Sequence, residues 1–261
     1  MGNSGAAIIG IPLLTFLAAL WSWRLSFVTL AVLGLVSLLI LWRTLPLDER
    51  STAGRIRLDA LTSYVPLLRS RSTLSIIIGT LVGNAGQWVV WSYLGAFLIE
   101  VHGFTLQDVG WVYLCGGGGV MVGTMISGTR VGARPRLLMI VSRAGAGLLL
   151  ALAMMLPLPG IAVVAMVALA MVMSGLYGVP NLLVLNAETP AGRATTMTLN
   201  SSAISLGTAL GGVVGGVALT LGGYSALGIC APIFSLSGAA IIWWSRPRAA
   251  APLATGATPS R

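Results

Sequence analysis

Asn84, Gln87 and Trp91 stand at i, i+3 and i+7 in the stretch GNAGQWVVWSY, a spacing that puts them on one face of a helix. Trp88 lies beside that face and Tyr93 further round. The surrounding run is apolar, and an amide inside such a run is costly unless it meets a partner or a water-filled cavity. Amides with aromatic rings beside them suit a pocket for a flat or amphipathic solute, where a few polar groups orient an otherwise apolar ligand. The same residues would also serve as helix-to-helix hydrogen bonds and ordinary core tryptophans. Tyr177, Pro180 and Asn181 form a second group, with Gly175 and Gly178 beside them. Pro180 frees a carbonyl and kinks its helix, and a structural kink is the first expectation there, with cavity lining by Tyr177 and Asn181 the alternative. Arg143 is the single formal charge inside an apolar run. Snorkelling or structural pairing is the leading expectation for it, and attraction of an anionic substrate the alternative.

Composition decides which elements can hold these residues. Hydrophobic residues make up 56% of the 261-residue chain, charged residues 8%, and mean hydropathy is +0.94. A soluble domain carries roughly 25% charged residues, so a water-facing globule is excluded and an all-α polytopic membrane protein is expected. A net charge of +9 invites comparison with nucleic-acid binders, but the arginines lie between apolar runs, where membrane topology puts them. No nucleic-acid partner is therefore expected. Cys115 and Cys230 sit inside apolar runs and His102 in a short loop, which provides neither a disulfide framework nor a metal cluster. No set of residues for acyl or metal chemistry is present, so no catalytic residue, metal or cofactor is assigned and the chain is not expected to be an enzyme.

Windows of about 20 residues give eight expected spans: Ser4–Leu20, Ser26–Leu41, Leu74–Leu98, Val109–Gly128, Leu137–Leu156, Ile161–Leu185, Ala194–Leu219 and Tyr224–Trp244. If these alternate, every loop arginine except Arg24 falls on one side, and the positive-inside rule makes both termini cytoplasmic. Residues 43–73 form the one long loop. No Asp or Glu lies inside any span, so a buried carboxylate for proton coupling is not found. Gly119 and Gly123 in the fourth span, and Gly207, Gly211 and Gly215 at steps of four in the seventh, are expected to let helices approach closely.

The opening MGNSGAAIIGIPLL returns 197 residues later as LNSSAISLGTALGG, with Gly10 against Gly207 and Leu13 against Leu210. Six spans fit in that offset, and parallel six-span halves are one way to build a secondary transporter. Four stretches carry a resemblance: GNSGAAIIGIPLLTFLAALWSWRLSF, GNAGQWVVWSYLGAFLIEVHGFTLQDVG, ISGTRVGARPRLLMI and NAETPAGRATTMTLNSSAISLGTALGG. In order and spacing they resemble spans five to twelve of the major facilitator superfamily, of the bacterial drug- or sugar-efflux (arabinose-efflux permease) type. The resemblance implies a partial major facilitator fold of about eight helices. Residues 1–42 would be the last two helices of the N-terminal half, 43–73 a cytoplasmic linker, 74–244 the six-helix C-terminal half and 245–261 a cytoplasmic tail. It implies a cell-membrane carrier in a lipid bilayer, moving an unidentified small-molecule substrate by alternating access, with protons as coupling partner in the full-length form. The alternative is a transport-inactive fragment or structural partner lacking four helices.

The basic stretch resembles the family's gating loop, which nominates Arg130, Gly132, Arg134 and Arg136. An acidic residue usually precedes the first arginine of that motif, and here Thr129 stands in its place. The fifth-span efflux motif is matched by Gly10 and Pro12, followed by larger residues.

Overall fold

Backbone amides in hydrocarbon must find partners within their own segment, so long apolar runs of this kind form helices. The computed structural model describes residues 10, 17, 22–44, 69–130, 134–188 and 193–245, and no strand occurs among them. Seven helices are described: α1 (Trp23–Thr44), α2 (Arg71–Trp91), α3 (Leu94–His102), α4 (Leu106–Arg130), α5 (Pro135–Met155), α6 (Gly160–Glu188) and α7 (Arg193–Trp244). Taking α2 and α3 together, six segments are long and apolar enough to cross a membrane. The chain is an all-α polytopic membrane protein. Of the expected first span only Gly10 and Leu17 are described, both helical, and most of the 43–73 linker and all of 246–261 lie outside the described residues.

The third expected span is interrupted. α2 ends at a turn through Ser92 and Tyr93, whose amides bond back to the Trp88 and Val90 carbonyls at 3.2 and 3.1 Å. α3 then closes at Gly103, which adopts φ 68°, a left-handed conformation that glycine takes without strain. Thr105 caps α4: its hydroxyl accepts from the Asp108 amide at 3.2 Å, while the Asp108 carboxylate accepts from the Thr105 amide at 2.9 Å.

At 52 residues α7 would run about 78 Å if straight, well beyond a hydrocarbon core of about 30 Å. Gly222 and Gly223 leave helical geometry, with φ 64° at Gly223, and the chain folds back there. The two arms, 193–221 and 224–244, bracket α2. A methyl group on Gly207, Gly211 or Gly215 would lie within 3.0 Å of the Leu81, Ala85 and Val89 carbonyl oxygens, so the first arm runs parallel to α2 in steps of four. Gly238 meets Gly79 and Gly83 while Ala231 and Ser235 meet Gly86, so the second arm runs antiparallel. α4 and α6 touch backbone to backbone where Gly119 and Gly123 face Ala168, Val172 and Gly175.

α6 stays one helix through Pro180. Proline at 180 cannot donate to the Leu176 carbonyl four residues earlier. The buried Ser127 hydroxyl of α4 donates to that carbonyl at 3.1 Å, replacing the lost partner from a neighbouring helix. Ser127→Ala is therefore expected to cost about 1 kcal/mol, read as a lowered midpoint of thermal unfolding in detergent. An unchanged midpoint would show that the carbonyl does not need the serine.

Two apolar clusters divide the bundle along α2. Val89, Val90, Leu94 and Leu98 join Leu150, Met171 and Leu227 toward one end. Ile76 and Ile77 join Met139, Leu185 and Ile242 toward the arginine-bearing end. α1 buries only 6% of its apolar window against the rest of the described residues, and most of its leucines are exposed.

Candidate functional site

Between the two apolar clusters the interior turns polar. Thr80 of α2 is fully buried, and its hydroxyl donates to the Ile76 carbonyl at 2.7 Å. A hydroxyl has one proton, so in the 2.7 Å contact between Thr80 and Tyr177 the tyrosine is the donor. Asn181 lies one turn beyond Tyr177 on α6, and its Nδ2 donates to Oδ1 of Asn200 on α7 at 3.1 Å. Its own Oδ1 has only long contacts, 3.4 Å to Tyr177 and 3.5 Å to Thr80. This chain of side chains ties α2, α6 and α7 together at one depth.

A second layer lies one to two turns along α2. Asn84 donates to the Ile204 carbonyl at 2.8 Å and the Thr208 hydroxyl at 3.0 Å, holding the parallel arm of α7. The Ser174 hydroxyl donates to Gln87 Oε1 at 2.7 Å, and Gln87 Nε2 lies 3.6 Å from the Met171 sulfur. Every amide in these layers has at least one partner, as a nonaqueous interior requires.

Arg143 of α5 closes the group. Its side chain crosses Gly83, where a methyl group would stand 2.8 Å from Cδ, and its guanidinium carbon sits 4.0 Å from the Tyr177 ring centroid. It is 4% exposed, so it does not snorkel to the helix end. Nε has no hydrogen-bond partner among the described residues. The glycine at 83 is what admits the long side chain into the bundle instead of out of it.

These layers wall a cavity of about 350 Å³ lined from α2, α4, α5, α6 and α7. Ligand pockets span roughly 300–1,000 Å³. Asn84, Gln87, Arg143, Tyr177 and Asn181 all reach it. Trp88 and Trp91 are not among its lining residues. Trp88 packs at Gly211, while Trp91 fits the notch at Gly116 and meets Tyr113 edge-on with ring centroids 4.9 Å apart. Thr124, Ser174 and Asn200 also line the cavity and were not singled out from the sequence. Thr124 and Ser174 are lone short polar residues in apolar runs, and Asn200 stands among Thr198, Ser201 and Ser202, so none carries a periodic signal.

The basic loop is placed only in part. Gly132 and the side chain of Arg130 lie outside what is described, and Arg134 is exposed just before α5. Arg136 donates to the Ser245 carbonyl and, at 2.9 Å, to the Ser72 hydroxyl, so it fastens the start of α5 to the start of α2 and the end of α7.

A family model described as Major Facilitator Superfamily matches residues 1–198 of the chain. The chain is also similar to a protein of Escherichia coli (strain K12) named "Putative transporter AraJ", with 27% identity over 223 residues. That match covers 85% of this chain and 55% of the relative, so the chain spans about half the length of the curated protein it matches.

Proposed function

Since the chain belongs to the major facilitator superfamily, we propose that it takes part in secondary transport of a small molecule, with the polar cavity as its share of the substrate path. The observation that carries this is the convergence of five helices on one cavity whose wall mixes amides, hydroxyls and one charge in an apolar bundle. Such a wall orients a solute without holding it tightly, as alternating access requires. The direction proposed is efflux, in a cell membrane, with both termini cytoplasmic. The arginines of 43–73, 130–136 and the C-terminal tail support that orientation. Gly119–Gly123 and the Gly207–Gly211–Gly215 ladder are proposed as the close-packed seams about which helices rock, and Arg134 with Arg136 as the arginine-bearing rim of the gate. Proton coupling is proposed for the transport activity as a whole and is not placed at this cavity, which has no carboxylate among its described lining residues.

Accumulation of a panel of labelled drugs and sugars in cells expressing the chain is the test. Expressing cells are expected to accumulate less of at least one compound than cells with an empty vector. Gln87→Leu, which removes an amide from the cavity wall, is expected to reduce that difference about 10-fold at equal membrane abundance. Accumulation equal to the vector control across the panel would sink autonomous transport. It would favour the second reading, a membrane component that does not transport by itself.

A further inference from the structure

We propose that Arg143 is the anchor of an anion subsite, and that the cavity takes an organic monocarboxylate with its carboxylate on the guanidinium. The proposal rests on the cavity being a substrate site. A guanidinium that is 4% exposed needs compensation, since taking a charge out of water is strongly unfavourable without an opposite charge or a full set of acceptors. The Tyr177 ring face provides only part of this. Nε is buried with no acceptor, and no ion pair or hydrogen bond to Arg143 occurs among the described residues.

The acids are elsewhere. Glu100 accepts from the Tyr224 hydroxyl at 2.7 Å and Asp108 caps α4, both at the opposite end from the arginine-rich loops. Glu188 is 11 residues beyond Tyr177 on the same helix, a rise of about 16 Å. Asp48, Glu49 and Asp59 belong to the long linker, outside the described residues. Among the described residues the charge therefore has no counter-ion, and the cavity that Arg143 lines is where one could enter.

Ligand class follows from the wall. Arg143 is the sole charged residue among the described lining residues, so the site balances one negative charge, and a doubly charged phosphate would bring an unmatched second one. A planar carboxylate also matches the guanidinium fork. Beside it, Tyr177, Val179, Leu182 and Ile204 offer apolar surface for the body of the ligand, and Asn200 an amide.

The test is direct binding to the purified full chain in lipid nanodiscs, using benzoate, its uncharged isostere benzamide and the cation benzylamine. Benzoate is expected to bind at least about 10-fold more tightly than either analogue, the size of one charge-assisted hydrogen bond. Arg143→Gln is expected to erase the preference and Arg143→Lys to keep part of it. Because Arg143 is uncompensated in the empty cavity, Arg143→Gln is also expected to melt no lower than wild type. Equal binding of the three probes to wild type, or none, overturns the proposal, and needs no variant to fold. Retained benzoate preference in Arg143→Gln, or a large loss of stability in it, overturns it as well. Benzoate selectivity in nanodiscs without any transport in cells would leave the anion site standing and remove autonomous transport instead.

Discussion

Gly123→Val is expected to lower the stability of the bundle by about 3 kcal/mol, the upper end for overpacked cores. A methyl group at 123 would run into the Val172 carbonyl and stand 3.0 Å from Gly175 Cα, so what must give is the backbone of α6. Gly175 is the reciprocal half of the contact, since a methyl group there would run into the Val120 carbonyl and stand 3.0 Å from Gly123 Cα. No rotamer change relieves either clash. Forcing α4 from α6 would also move Ser127 off the Leu176 carbonyl and Thr124 off the cavity wall. For a chain of this length 3 kcal/mol corresponds to a fall of about 6–12 °C in melting temperature. Gly118→Ala is the control on the same helix: its methyl group meets nothing within 4 Å, and alanine favours helix over glycine by about 1 kcal/mol. Circular dichroism in detergent should show Gly123→Val melting well below wild type and Gly118→Ala at or above it. If the two variants melted together, the α4–α6 seam would not be the tight contact described.

Gly123 also shows what a single sequence makes legible. Small residues at steps of four announce a close approach, and the Gly207–Gly211–Gly215 ladder could be read off as such. The partner could not. Leu81, Ala85 and Val89 offer backbone carbonyls to that ladder, and carbonyls leave no trace in a sequence. Among the described residues the span boundaries followed hydropathy, and the reversal at Gly222–Gly223 fell between two expected spans. The break at Ser92–Tyr93 did not show, because neither residue is a helix breaker and the run stays apolar through Leu98.

The site divides in the same way. Asn84 and Gln87 could be singled out because polar groups are rare in such a run, and helical spacing correctly puts them on one side of α2. Trp91 shares their spacing yet sits one turn higher, where the neighbour is α4 at Gly116 rather than α6 at Ser174. Periodicity gives a face and says nothing of which helix opposes it at each depth. Thr80, Ser174 and Asn200 went unnoticed for the complementary reason: short polar side chains are common in membrane helices, and only their partners reveal them. Gly83 is subtler still, since its consequence, room for Arg143, appears on another helix.

Asn181→Leu is expected to destabilise the bundle by about 2 kcal/mol and to abolish cavity-dependent binding. Single side-chain hydrogen bonds between membrane helices average about 0.6 kcal/mol, so one lost bond would not reach that figure. Leucine, however, strands the Asn200 Oδ1, which accepts from Asn181 at 3.1 Å in a residue that is 4% exposed. A buried acceptor left without its donor costs about 1–3 kcal/mol. Tyr177 is spared, because its proton already goes to Thr80 at 2.7 Å, so the loss should stay local to the Asn181–Asn200 pair. That locality makes a sharp test. In a double-mutant cycle, Asn200→Leu added to Asn181→Leu should cost less than it does in wild type, since it removes the stranded acceptor. Strict additivity would mean that the two amides do not act as a pair. Binding separates the structural from the functional consequence: the double variant should recover part of its stability while ligand binding stays lost, because both amides line the cavity. The pair joins α6 to the parallel arm of α7 beside the Arg143–Tyr177 contact, so a ligand that drew on either amide would loosen the joint between those helices. Occupancy and helix movement would then be coupled through one hydrogen bond, which is the kind of weak link that a rocking bundle needs.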